Sequence, residues 1–259
     1  MRKIFSLFIV LNLILVSSGV QTSAQDAVSV PILLYHNIAD YTPDAPYDRS
    51  LNMPAKTFEQ HMRMLKNEGY TPITYEMYYA YETQGTPLPE KPIMITFDDG
   101  YLSNYLYAYP VLKSLGMKAT IFVITDRRGK ALSINPHFSW NQAREMVDSG
   151  IIDIQSHTHS HQVSTTLSDD ALAYELAISK RLVELHTGKK CNVLAFPNGI
   201  AEARELAAAK KAGYKIINLV GEVGSNRKGD DLATMKRITV FADWTSYNLK
   251  QVIEKNLVL

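Results

Sequence analysis

Cysteine is almost absent from this chain, and neither sign of charge is in excess. The one cysteine, Cys191, excludes an internal disulfide framework, and its position in an apolar run predicts a buried thiol. The 27 Lys and Arg residues nearly balance the 26 Asp and Glu residues, and the basic residues are scattered. A nucleic-acid-binding protein would instead concentrate basic residues on one surface, so no nucleic-acid partner is expected.

Long hydrophobic runs are missing as well. A membrane span needs about 20 consecutive apolar residues, and the chain has no run of that length. The longest run lies in "MRKIFSLFIVLNLILVSSGVQTSAQ", where Arg2 and Lys3 precede roughly a dozen apolar residues and a small, polar stretch reaches Ala24. This layout predicts a secretory signal peptide over residues 1–24, with an uncleaved N-terminal anchor as the alternative. We therefore expect residues 25–259 to work in the cell envelope or as a secreted protein, with no membrane span after cleavage.

Internal repeats, low-complexity blocks and linkers are also lacking, so 259 residues with 46% hydrophobic side chains favour one catalytic domain over residues 25–259. Short β-rich runs alternate with helical patterns. "NYLYAYPVLKSLG" predicts a helix ending at Gly116, and "SWNQAREMVDSG" a helix with a capping box of Ser139 and Gln142. At least about seven such units predict parallel strands closed into a (β/α) barrel rather than an open sheet.

Residues that could take part in chemistry follow several of the predicted strands, at the barrel face where active sites are built. These residues are His36, Asp98, Asp99, His157, His159, His161, Pro197, Asn198, Asp243 and Trp244. Two adjacent carboxylates repel each other unless a cation holds them, and one carboxylate with two imidazoles is a common ligand set for a catalytic divalent metal. The second carboxylate is then free to act as a base toward a metal-bound water.

The stretch "QSHTHSHQ" leaves open which histidines are ligands. In an extended backbone, alternate residues share a face, and all three side chains would point one way. If the chain turns after Ser156, His157 and His161 share a side and His159 does not. The bland alternatives are a simple turn at "DDG" and solvated loop histidines. The placement of both clusters after strands weighs against them.

Two motifs together resemble the polysaccharide deacetylases, the NodB-homology domains of carbohydrate esterase family 4. They are "TFDDG" at residues 96–100 and "SHTHSH", with its H-[ST]-x-x-H core at residues 157–161. The resemblance extends from about Val30 to the C-terminus, and "VPILLYHNI" and "LPEKPIMITFDDGYLSN" are similar to the branch acting on poly-N-acetylglucosamine and related envelope glycans. It implies a distorted (β/α)7-8 barrel of the glycoside hydrolase/deacetylase type.

The resemblance also implies an enzyme that removes N-acetyl groups from an N-acetylglucosamine-containing polysaccharide and releases acetate. The implied cofactor is one divalent metal ion, Zn²⁺ before Co²⁺ or Ni²⁺. The implied metal ligands are Asp99, His157 and His161. Asp98 is then the general base, Thr158 supports the loop, and His159 is a neighbour outside the metal shell.

The third family motif is only partly present. "AFPNG" matches at Pro197 and Gly199, but Asn198 replaces the usual tyrosine and the arginine before the proline is absent. The backbone N–H of Asn198 is still expected to donate to the oxyanion, because that role needs no particular side chain. Arg237 is the proposed replacement for the arginine that steadies the base, with structural support of the barrel as the alternative.

The family's C-terminal L-x-H motif, which usually provides the general acid, is absent, since no histidine follows His186. In the poly-N-acetylglucosamine branch a histidine on the first strand takes that role. The resemblance therefore implies His36 in "LLYHNI" as the general acid, with a buried histidine capping the barrel as the alternative.

Substrate contacts are expected from Pro197, Tyr101 and Trp244, with Asp243 in support of Trp244, although a core tryptophan is the alternative. The tyrosines of "YEMYYAYETQ" are expected to pack a helix against the barrel. The partner is an acetylated glycan and the protein a monomer. The alternative functions are an O-acetyl (xylan-type) esterase with the same metal site, a non-catalytic carbohydrate-binding module and a metal-storage or metal-sensing protein.

Overall fold

The computed structural model describes residues 28–39, 51–130, 135–220 and 224–258. The expected signal peptide, residues 1–24, lies outside this part of the chain. The helices are α1 Ala55–Asn67, α2 Tyr75–Gln84, α3 Tyr109–Leu115, α4 Trp140–Asp148, α5 Asp169–Thr187, α6 Ala203–Lys211 and α7 Ser246–Val258. The strands are β1 Val30–Tyr35, β2 Asn37–Ala39, β3 Asn52–Pro54, β4 Thr71–Pro72, β5 Pro92–Phe97, β6 Ala119–Val123, β7 Ile152–Ser156, β8 Val193–Ala195, β9 Ile216–Asn218, β10 Ser225–Asn226 and β11 Ile238–Thr239.

The central strands form a curled, parallel sheet that closes on itself. β1, β5, β6, β7, β8 and β9 pair in this order, and β11 pairs with β1 in parallel. The chain just before β11 completes the ring, because the N–H of Met235 donates to the carbonyl of Ile217 in β9 and its carbonyl accepts from Leu219. The predicted distorted (β/α) barrel is confirmed.

The predicted alternation of strand and helix fails between β9 and β11. Between β9 and β11 the described residues, 219–220 and 224–237, contain no helix, and β10 pairs antiparallel with β1. Gly229, Asp230 and Asp231 favour turns in this segment, and the spacing of its apolar residues is not helical. This segment distorts the barrel.

The tyrosine-rich segment packs as predicted. Tyr75 and Tyr78 of α2 are buried in the cluster that fills the barrel interior, where the Tyr75 ring meets Phe122 of β6 edge-on at 5.8 Å. Tyr79 and Tyr81 are partly buried against the same cluster. These rings stabilise the interior by removing apolar surface from water.

The predicted helix over residues 104–116 forms in two parts. Asn104–Ala108 is a π-helical turn, in which the N–H of Tyr109 donates to the carbonyl of Asn104, and α3 follows and ends at the left-handed Gly116. Pro110 has no N–H, so a regular α-helical ladder cannot run through this point. The turn leaves Leu106 and Tyr107 exposed beside β2.

Two smaller expectations are also met. Ser139 and Gln142 form the capping box of α4, and Cys191 is buried, which raises the pKa of its thiol. Within the described residues, no helix has the length and hydrophobicity that a bilayer crossing requires.

A buried hydrogen-bond chain joins α1 to β1 and to the segment after β11. His61 Nε2 lies 2.9 Å from the carbonyl oxygen of Trp244, and Nδ1 lies 3.2 Å from the hydroxyl of Tyr35. A carbonyl only accepts, so Nε2 carries the proton and Nδ1 accepts from the tyrosine. Burial lowers the pKa of His61 to about 4.

We expect His61 to destabilise the protein as the pH falls from about 6.5 to 4. In this range the unfolded state binds more protons than the folded state, and the loss from this group reaches about 3 kcal/mol near pH 4. Urea unfolding between pH 7 and 4.5 measures the effect, and His61→Gln should show a shallower pH dependence than the wild type. Identical slopes would contradict the prediction.

Candidate active site

The site begins with a turn at the end of β5. The N–H of Asp98 donates to the carbonyl of Tyr35 at the end of β1, at 3.0 Å, and Asp99 and Gly100 both have left-handed backbones, with φ of 67° and 74°. The turn brings the two carboxylates to the carboxyl end of the barrel, as expected for residues that directly follow a strand.

Arg237 grips the first of these carboxylates. Its Nη1 and Nη2 donate to Oδ1 and Oδ2 of Asp98 at 2.7 and 2.8 Å, and both side chains are almost fully buried. Burial alone would raise the pKa of Asp98, but the charges of Arg237 and His157 hold it at about 2. Asp98 is therefore ionised at neutral pH and fixed in one orientation, because the guanidinium binds both of its oxygens.

The second carboxylate faces two imidazoles. Asp99 Oδ1 lies 3.5 Å from His157 Nε2 and 3.4 Å from His161 Nε2. His157 Nδ1 donates to the carbonyl of Ala195 at 2.7 Å, which leaves the lone pair of Nε2 directed at the carboxylate. One ligand atom from each of the three residues falls within 4.8 Å of the other two.

These three residues fit a divalent metal ion. Two ligand atoms at ordinary zinc distances and a tetrahedral angle lie about 3.4 Å apart, close to the separations here. Although burial alone would raise it, the neighbouring histidines lower the pKa of Asp99, and burial with His157 lowers that of His161 to about 4. Asp99 and His161 are therefore in the deprotonated forms that a metal requires.

The histidine stretch turns after β7 rather than continuing as a strand. Thr158 and His161 both have φ of 63°, and these turns direct His161 back to Asp99. His159 points elsewhere: its Nδ1 lies 2.9 Å from the Thr125 hydroxyl and its ring meets Tyr174 edge-on. Of the two shapes that spacing left open, the structure has the one in which His157 and His161 share a side.

Backbone strain is concentrated at this site. Of the five non-glycine residues with positive φ among those described, four lie in the motif turns: Asp99, Thr158, His161 and Asn198. A left-handed conformation is costly for a β-branched residue such as Thr158 and persists only where the surroundings enforce it. The surroundings of these turns therefore determine the site's geometry.

His36 follows β1 at the same rim. Its carbonyl accepts a hydrogen bond from the buried Asn104 side chain at 2.7 Å, and its Nδ1 is buried without a hydrogen-bond partner among the described residues. Burial lowers the pKa of His36, while the charges of Asp98 and Asp99 pull it upward. The imidazole therefore lies close enough to both carboxylates for its charge to respond to them.

The "AFPNG" turn forms another part of the rim. Asn198 has φ of 58° with an exposed side chain, between the buried Pro197 and Gly199. A Cβ on Gly199 would lie 2.3 Å from Val220, so a glycine is required there. His157, one of the candidate metal ligands, binds this turn through the carbonyl of its first residue, Ala195.

The other expected substrate contacts are more dispersed. Tyr101, directly after the carboxylate turn, is half-buried with its ring 5.0 Å from that of His137. Trp244 is half-buried against the core with its ring edge-on to Phe241, and Asp243 is exposed.

A cavity of about 220 Å³ opens beside β2. It is lined by Asn37, Ile38, Ala39, Leu102, Ser103, Leu106, Tyr107, Asn135 and Pro136. Its wall therefore combines amide and hydroxyl groups with apolar side chains, a lining that suits a small polar ligand with apolar faces.

Sequence reasoning missed two buried charged residues, Arg128 and Glu175. Arg128 donates to the carbonyls of Asp99 and Gly100, and Glu175 accepts from backbone N–H groups of the histidine stretch. The available signal was weak: an arginine just after a predicted strand, and an acid on the inner face of an amphipathic helix.

Comparison with known proteins agrees with this geometry. The family model for polysaccharide deacetylases matches residues 85–217. YxkH of Bacillus subtilis (strain 168), provisionally named a polysaccharide deacetylase, is 36% identical over 211 residues, which are 82% of this chain and 71% of that protein. The poly-beta-1,6-N-acetyl-D-glucosamine N-deacetylase of Escherichia coli (strain K12) is 29% identical over 221 residues.

The match to the E. coli protein covers 71% of this chain but only 32% of that protein, so this chain corresponds to about a third of it. Among solved structures, the Streptococcus pyogenes deacetylase PplD, in complex with acetate, superposes with a TM-score of 0.79 at 27% identity. The superposition covers 87% of this chain and 98% of PplD.

Proposed function

Because this chain belongs to the polysaccharide deacetylase family, we propose that it hydrolyses N-acetyl groups of an N-acetylglucosamine-containing polysaccharide and releases acetate. The glycan is poly-N-acetylglucosamine, peptidoglycan or a chitin-like polymer. The observation that carries the proposal is an ionised carboxylate, Asp98, held by Arg237 beside the Asp99, His157 and His161 cluster. A base next to three metal ligands is the arrangement that metal-assisted hydrolysis needs.

The residues divide the chemistry between them. A divalent ion, Zn²⁺ before Co²⁺ or Ni²⁺, on the three ligands would polarise the acetyl carbonyl and acidify a water molecule. Asp98 takes the proton of the attacking water, and the N–H of Asn198 donates to the developing oxyanion. His36 gives a proton to the leaving amine nitrogen.

The glycan is expected to lie across the rim of the barrel. Pro197, Tyr101 and Trp244 are the proposed substrate contacts, with Asp243 and Thr158 in supporting positions. The cavity beside β2, which Tyr107 helps to line, is the proposed site for an adjoining sugar unit. We propose that residues 25–259 act as a monomeric catalytic domain, secreted or in the cell envelope after cleavage at residue 24.

Incubation with defined glycans tests the function. Poly-N-acetylglucosamine, peptidoglycan and chitin oligomers are each treated with the metal-loaded protein, and mass spectrometry counts acetyl groups replaced by hydrogen. At least one glycan should be deacetylated with release of acetate, and a chelator should abolish the reaction until Zn²⁺ is returned. Acetate release from O-acetylated xylan alone would favour the esterase alternative, and release from no glycan would refute the proposal.

A further inference from the structure

Arg128, just after β6, holds the backbone of the carboxylate turn. Its buried side chain donates from Nε to the carbonyl of Ile124 at 3.1 Å, from Nη1 to that of Gly100 at 2.8 Å and from Nη2 to that of Asp99 at 2.7 Å. The guanidinium also lies 4.6 Å from the centre of the Phe138 ring. The side chain is thus fixed on several sides, and these hydrogen-bond acceptors are neutral carbonyls.

These hydrogen bonds hold the backbone at Asp99 and Gly100 in place. The left-handed conformations of Asp99 and Gly100 turn their carbonyls toward the same guanidinium. A Cβ on Gly100 would lie 2.4 Å from Arg128 Nη1, so the turn and the arginine fit closely together. Since the backbone sets where the Asp99 carboxylate lies, Arg128 controls the position of one metal ligand without touching the metal.

Glu175 of α5 does the same for the histidine turn. Its Oε2 accepts from the N–H groups of His159 and Ser160 at 2.9 and 2.8 Å, and its Oε1 accepts from the Ser160 hydroxyl at 2.6 Å. The carboxylate is buried, with 6% of the residue exposed. It holds the residues that separate the two histidine ligands, immediately before the left-handed His161.

We propose that Arg128 and Glu175 are positioning residues that set the metal-binding geometry, each by clamping the backbone of one ligand-bearing turn. Arg128 binds carbonyl oxygens of the carboxylate turn, and Glu175 binds N–H groups of the histidine turn. Each charged side chain therefore faces peptide atoms of opposite partial charge. The two turns follow β5 and β7, which are not neighbours in the sheet, and their ligand atoms lie only 3.4 Å apart. This inference rests on the proposed metal dependence and extends it to residues outside the two motifs.

Substitutions at each clamp separate charge from geometry. Arg128→Lys keeps the positive charge but loses the guanidinium that binds two carbonyls at once, and Arg128→Gln loses both. Glu175→Gln keeps an acceptor oxygen, and Glu175→Ala removes it. Loss of partners that orient metal ligands typically weakens affinity by about 10–100-fold, and we expect this for Arg128→Lys, Arg128→Gln and Glu175→Ala, with a smaller loss for Glu175→Gln.

The measurements are made on metal-stripped protein. Calorimetric titration with Zn²⁺ gives the affinity, and the visible spectrum of the Co²⁺-loaded protein reports the arrangement of its ligands, which a purely structural role would leave unchanged. Arg127→Lys and Glu184→Gln are the matched controls, because they lie on the same segment and the same helix and should bind Zn²⁺ as the wild type does. Thermal melting without metal identifies any variant that fails to fold.

The outcomes are distinguishable. Folded Arg128→Lys and Glu175→Ala proteins with wild-type Zn²⁺ affinity and unchanged Co²⁺ spectra would overturn the clamp proposal and leave the proposed function intact. If one variant does not fold, the other variant at the same position decides in the same way. A wild-type protein that binds no divalent ion would overturn the proposed function, and the clamp proposal with it.

Discussion

Replacing Asp98 by asparagine is expected to lower kcat for glycan deacetylation by about 10²–10⁴-fold while Zn²⁺ remains bound. Asparagine has nearly the same shape but cannot take a proton from the attacking water. Zn²⁺ should stay because its proposed ligands, Asp99, His157 and His161, are unchanged. Acetate release from N-acetylglucosamine oligomers and metal content per protein molecule measure the two effects on one sample.

Arg237 complicates this variant in a way that must be measured. The Asp98→Asn substitution would leave the buried guanidinium without its carboxylate, and removing one partner of a buried pair costs about 3–5 kcal/mol of folding stability. Activities are therefore compared at a temperature where melting shows the variant to be folded. Asp99→Asn is the matched control, because it should lose Zn²⁺ affinity as well as activity. An Asp98→Asn enzyme within about tenfold of wild-type kcat would remove Asp98 from the role of base.

The pairing with Arg237 determines what kind of base Asp98 can be. With its pKa held at about 2, Asp98 is ionised throughout the neutral range, so no activity is lost to its protonation above about pH 4. Such a carboxylate attracts protons weakly, and a water acidified by the proposed metal ion would have to compensate. What Arg237 provides is orientation, through two hydrogen bonds at 2.7 and 2.8 Å.

The barrel was predictable because its signals are local. Each strand is a short apolar run, and helix boundaries are marked by residues such as Ser139, Gln142 and Gly116. The closing segment around Met235 carries no such signal. Its backbone pairs with β9 through Met235, and such a contact depends on tertiary context rather than on local sequence.

The site was predictable where side chains carry the chemistry and not where backbone does. The two motifs and the family resemblance named the candidate metal ligands, and the arginine missing from the third family motif led to Arg237 as its proposed replacement. The shape of the histidine stretch depends on Glu175, whose partners are N–H groups 15 and 16 positions away. Arg128 likewise binds carbonyls 28 and 29 positions away. Peptide groups are the same in every sequence, so no residue pattern reveals such contacts.

His36→Ala is expected to lower kcat on an N-acetylated glycan by about 10²–10⁴-fold, again with Zn²⁺ retained. An amine leaves the tetrahedral centre only when it is protonated, and His36 is the proposed donor at the end of β1. Burial lowers the pKa of His36, which makes its imidazolium a better proton donor, while Asp98 and Asp99 favour the charged form. The alcohol of an activated ester leaves without being protonated first, so hydrolysis of an activated acetyl ester should fall far less. The ratio of the two rates is the measurement.

Comparison with Asp98→Asn makes the test specific, because loss of the base should slow the ester and the amide alike. His159→Ala is the matched control: it removes a histidine from the same rim whose side chain faces Thr125 and Tyr174 rather than the metal ligands. A His36→Ala enzyme that deacetylated glycan at near wild-type rate would exclude His36 as the acid. No histidine follows His186, so His137, buried against Tyr101 with neither ring nitrogen hydrogen-bonded to a described residue, would then be the next donor to replace.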